Sequence, residues 1–130
     1  MRKITLALLM LLSTQCFSLP YINGLMGGGG SYAVNAGYII NTSSSIFNID
    51  TGIGFKDVSN TGNQQYVYSG VGFNFNVINF KANVGLRKTG DGYYRIYVAP
   101  SIVVPFSQNI GLMMSIDQVG FFLVGFNFNF

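Results

Sequence analysis

Few side chains in this sequence can carry acid–base, nucleophilic or metal chemistry. Seven Lys or Arg, four Asp and one Cys are present, with no His and no Glu. Without His there is no imidazole base, no Ser–His or Cys–His nucleophile pair and no His metal site. No G-x-S-x-G elbow, phosphate loop or metal-ligand cluster occurs, so neither an enzyme nor a cofactor is expected. The Gly27–Gly30 run is a turn or loose link, and Ser69 and Ser101 are ordinary strand residues. The formal charge of +3 includes Arg2 and Lys3. What remains is too thin for the clustered basic face that nucleic acid requires.

What these charges can do is pair with one another or with anions, and which they do depends on the elements that position them. Only 8% of residues are charged while 49% are hydrophobic, against about a quarter charged in ordinary soluble domains. Disorder is excluded by the hydrophobicity, and seventeen Gly argue against a helical bundle.

The first eighteen residues, MRKITLALLMLLSTQCFS, place a basic pair before an apolar stretch, Ile4 to Leu12, and then small and polar residues. That is the layout of a secretory signal peptide, and the stretch is far shorter than the ~20 residues a membrane helix needs. Cleavage after Ser18 is expected, leaving 19–130 as the mature domain. Cys16 in lipoprotein style is the alternative, but Gln15 stands where a small residue is wanted. If Cys16 leaves with the signal, no disulfide remains and packing alone must stabilise the product. No later stretch is long enough to span a membrane as a helix. The choice is between a soluble β-protein and a transmembrane β-barrel.

Alternation decides between them. In 66–77, Val67, Ser69, Val71, Phe73, Phe75 and Val77 share one face, while Tyr66, Tyr68, Gly70, Gly72, Asn74 and Asn76 share the other. A period of two is a strand with one apolar face and one small or polar face. The same parity runs through Tyr32–Ile40, Phe47–Lys56, Phe80–Arg87, Tyr94–Ile102, Ile110–Asp117 and Phe122–Phe130, with Phe121 and Leu123 as exceptions. The parity of the first strand, about Leu19–Gly27, is not assignable. Turns fall at Gly27–Gly30, Asn41–Ser44, Asn60–Gln65, an Ile78–Asn79 corner, Thr89–Gly92, Pro105–Asn109 and Asp117–Val119. Eight strands of about ten residues with links of about four fill the mature length, and ten strands overrun it.

A soluble sandwich would carry its Lys, Asp and Thr on the outer face. Here the polar face is mostly Gly, Asn and Tyr, a poor exterior but a good filling for a narrow barrel. Nine of the eleven Phe after residue 18 lie on the apolar face. Asp50, Lys56, Lys81, Arg87, Arg95 and Asp117 have inward parity; Asp57 and Lys88 point outward at strand ends, and Asp91 lies in a turn. No charge then faces lipid at mid-membrane, where Lys or Arg costs roughly 2–4 kcal/mol. The expected fold is all-β, an eight-stranded antiparallel up-and-down transmembrane barrel with short loops. Asp50, Lys81, Arg87, Arg95 and Asp117 are expected to form an interior network, and Lys56, Asp57, Lys88 and Asp91, with Arg87 near them, an external rim.

The ending VGFFLVGFNFNF, with Phe122, Val124, Phe126, Phe128 and Phe130 at alternate positions, resembles the C-terminal targeting strand of bacterial outer-membrane barrels. That resemblance implies recognition by the barrel assembly machinery. The mature chain resembles the small barrels of the OmpX and opacity-protein type, which implies the outer membrane of a Gram-negative bacterium. It departs from them in its links of about two to six residues, too short for adhesive loops. Partners expected are outer-membrane lipid and lipopolysaccharide. A structural or surface-modifying barrel with a filled interior is the first expectation. A narrow pore lined by the inward charges and a soluble secreted β-protein are the alternatives.

Overall fold

The computed structural model describes residues 18–42, 46–58, 62–116 and 122–130. The strands are β1 (Ser18–Gly27), β2 (Tyr32–Asn41), β3 (Phe47–Val58), β4 (Gly62–Phe75), β5 (Ile78–Lys88), β6 (Tyr94–Pro105), β7 (Ile110–Ile116) and β8 (Phe122–Asn129). Each pairs antiparallel with its sequence neighbours, and β8 returns to β1, closing the barrel. Closure matters because an open edge would leave a row of unpaired backbone groups, which lipid cannot satisfy. The seam runs from Tyr21 opposite Asn129 to Gly27 opposite Leu123, and the Phe130 N–H donates to the Pro20 carbonyl at 2.9 Å.

Burial follows the alternation. On β4, Gln64, Tyr66, Tyr68 and Gly72 are buried while Val67, Val71, Phe73 and Phe75 are exposed. The first strand now has a parity: Tyr21, Asn23 and Leu25 point inward, and Ile22, Gly24 and Met26 outward. Leu123 is not a fault in the pattern either. It joins Leu25, Ala33, Val103 and Met113 in a buried apolar cluster inside the barrel.

Two connections differ from the sequence expectation. The β4–β5 turn is Asn76–Val77 rather than Ile78–Asn79, with Asn76 at φ 58°, a left-handed conformation that Asn tolerates better than most residues. The displacement is an even number of residues, so it changes no side chain's face. β4 also starts at Gly62, so that Asn63 to Gln65, expected in a turn, belong to the strand. The expected signal segment up to residue 17 and the link at Asp117–Val119 lie outside the described residues.

Candidate functional site

The interior is built by placing glycine against tyrosine. Tyr68 on β4 stands opposite Gly52 of β3 and Gly85 of β5; Tyr21 stands opposite Gly37. A Cβ on Gly52 would lie 2.6 Å from the Tyr68 hydroxyl, and one on Gly37 2.8 Å from that of Tyr21. The missing side chains are the space the rings occupy. Tyr66 and Tyr97 then stack, with centroids 4.4 Å apart, and Tyr68 tilts against both.

Asp50 lies at the centre of the polar network. Its Oδ1 accepts the Tyr21 hydroxyl at 2.6 Å, its Oδ2 accepts Asn83 Nδ2 at 3.1 Å, and Lys81 Nζ lies 3.4 Å from Oδ2. Both charged side chains are 1% exposed. The Tyr21 hydroxyl also meets that of Tyr68, and Lys81 Nζ sits 4.6 Å from the centroid of the Tyr21 ring. A second chain of bonds runs from the Tyr66 hydroxyl to Asn35 Oδ1 and from Asn35 Nδ2 to Asn23 Oδ1. Among these groups lies a cavity of about 20 Å³, lined in part by Tyr21, Asp50, Tyr66, Asn83 and Ser101. A site needs roughly 10–15 Å³ of such volume to hold one water, so this cavity is not a channel.

Of the expected interior set, Asp50 and Lys81 are brought together, while Arg87 is buried elsewhere on the inner wall, donating from Nη1 to Gln64 Oε1 at 3.3 Å. Arg95 is a correction: it has inward parity but is exposed, because it is the second residue of β6 and stands at the end of the barrel wall. Asp117 lies outside the described residues. Of the expected rim, Lys88 and Asp91 are exposed and Asp57 is partly buried. Lys56 is a correction to the exposed rim, being 2% exposed. β3 continues to Val58, which carries the inward-facing Lys56 below the strand's end. Asp91 accepts the Thr89 hydroxyl in its turn, which holds its carboxyl below the usual aspartate range.

Tyr21, Gln64 and Asn83 were not singled out as network members from sequence. Tyr21 and Asn23 repeat the Tyr and Asn content of the other inner faces, and that content was the available signal for β1. On the outside, Phe122, Phe126, Phe128 and Phe130 are exposed and Val124 is partly so. Among the described residues, no charged side chain lies on the outward face in the middle of a strand.

A closed eight-stranded wall with an apolar exterior and a filled polar interior is an inside-out arrangement relative to soluble proteins. The chain has the fold of the small transmembrane β-barrels. It is similar to a de novo designed transmembrane β-barrel at 17% identity and TM-score 0.60, covering 87% of this chain and 94% of the design. A second design, TMB2.3, solved by NMR in solution, aligns at 12% identity and TM-score 0.55, over 87% and 93% of the two chains. Ail, the attachment invasion locus protein of Yersinia pestis, aligns at 13% identity and TM-score 0.51, over 87% and 95%. No protein-family model and no curated protein matches the chain. At these identities the likeness is one of fold.

Proposed function

We propose that this barrel is an integral protein of the outer membrane of a Gram-negative bacterium, with a structural or surface-modifying role and no open channel. The observation that carries this reading is the Asp50–Lys81 pair, enclosed by Tyr21, Tyr68 and Asn83 where a pore would need water. Eight-stranded barrels leave an interior that side chains just fill, and the glycine–tyrosine packing fills this one. Phe130 and the alternating residues before it serve as the signal for the barrel assembly machinery. The outer leaflet, lipopolysaccharide, surrounds the rim that carries Lys88 and Asp91.

Two measurements test this. In fractionated cells the protein is expected in the outer membrane, with a gel mobility that changes on boiling; recovery from the soluble periplasm overturns the assignment. In planar bilayers the purified barrel is expected to give no conductance steps above background. Reproducible steps would favour the narrow pore.

A further inference from the structure

At the end of the barrel bearing the β1–β2, β3–β4, β5–β6 and β7–β8 connections, like charges lie side by side. Arg87 on β5 and Arg95 on β6 are directly opposite in the ladder and share the inward face. Such a pair is destabilising unless something offsets it. Lys56, inward on β3, adds a third positive charge that interacts with that of Arg87. Arg87 is buried, and while its Nη1 reaches Gln64, its buried Nε has no hydrogen-bond acceptor. Among the described residues no carboxylate forms an ion pair with Arg87. Asp50, the buried acid among the described residues, is already engaged by Lys81, Tyr21 and Asn83. Arg95 is open to solvent, with the charge of Asp91 acting on it from the turn. A buried guanidinium with an unused Nε donor, directly opposite an exposed arginine of the same inward face, is a half-built anion site.

We propose that this end of the barrel binds an oxyanion of the phosphate type, held by Arg87 from within and Arg95 from the rim, with Lys56 contributing charge. The planar N–H fork of a guanidinium matches the spacing of phosphate oxygens, and bonds between charged partners are about twice as strong as neutral ones. A doubly charged anion also offsets the repulsion between the two arginines. Free phosphate and the phosphorylated headgroup of a lipid present the same chemistry. This inference goes beyond the proposed function, since it depends only on the geometry of this end and holds whether or not the barrel conducts.

The test uses the protein folded in zwitterionic detergent micelles. One arm titrates inorganic phosphate by calorimetry; the other adds lipid A in its diphosphorylated and its dephosphorylated forms. Saturable binding of phosphate, or of the diphosphorylated lipid alone, is expected, weakened at least tenfold in Arg95→Gln and in Arg87→Gln. Lys88→Gln, on the outward face, is expected to bind as the unsubstituted protein does. Binding in the first arm identifies a free anion as sufficient, and binding only in the second identifies a lipid headgroup. Arg95 is exposed, so its variant remains informative even where Arg87→Gln fails to fold. The proposal is overturned if neither probe binds, if Arg95→Gln binds as tightly as the unsubstituted barrel, or if Lys88→Gln weakens binding equally.

Discussion

Asp50 and Lys81 show how much a single buried charge weighs in a narrow barrel. Removing one partner of a buried pair typically costs about 3–5 kcal/mol, because the other is left as a lone charge, whereas replacing both by apolar groups is often neutral. Asp50→Ala strands Lys81, which is enclosed in the wall. It is expected to lower stability by about 3–5 kcal/mol in urea unfolding from lipid vesicles. Adding Lys81→Met is expected to recover most of that loss. If the double variant is as unstable as Asp50→Ala, the cost lies in the donors from Tyr21 and Asn83 instead. That these two charges face inward was legible from parity alone; that they meet was not, since they lie on β3 and β5 with β4 between them. Parity also could not say how far from the end of the barrel a side chain stands. Arg95 and Lys56 have the same inward sense, yet one is open and the other enclosed, because β6 begins one residue before Arg95 and β3 ends two residues after Lys56.

At the scale of strands, the inner glycines are as informative as the side chains around them. Gly52 and Gly24 both sit inside strands, but a Cβ at Gly52 would meet the Tyr68 hydroxyl and the Ala36 carbonyl, each at 2.6 Å, while one at Gly24 would meet nothing within 4 Å. The Tyr68 ring is buried among Tyr21, Tyr66 and Tyr97, and the cavity beside it, about 20 Å³, is too small to take a displaced ring. Gly52→Ala is therefore expected to destabilise by about 1–3 kcal/mol through overpacking. Gly24→Ala, on the outer face, should stay within about 0.5 kcal/mol of the unsubstituted barrel in the same unfolding assay. The strands themselves were legible because their two faces differ in composition. β1 was not, because Leu25 on its inner face is as apolar as Ile22 and Met26 on its outer face. The start of β4 was obscured in the opposite way, since Asn63, Gln64 and Gln65 are polar on both faces and carry no alternation. Only pairing with Asp57, Lys56 and Phe55 of β3 shows that they form a strand.

For the whole molecule, the direction of amphipathicity separates a lipid-embedded barrel from a soluble one of the same shape. The exterior shows Ile22, Ile53, Val67, Val71, Val84 and Leu86 in the open, and the interior holds Asp50, Lys81 and Arg87. In water that exterior would be a large apolar patch, and adding charge to it would improve solubility without harming the fold. In a bilayer the same charge must leave lipid or thin the membrane around it. Ile53 is the decisive position: it is 63% exposed, the seventh of the twelve residues of β3, and opposite Ala36 and Val67. Ile53→Lys is expected to lower the unfolding free energy in vesicles by about 2–4 kcal/mol, while Met26→Lys, one residue from the end of β1 and 72% exposed, should cost only about 0–1 kcal/mol. Neither site touches the interior, so a difference between them measures depth in the lipid and nothing about packing. Equal costs at the two positions, or a gain in stability at Ile53, would show that the apolar wall faces something other than a membrane.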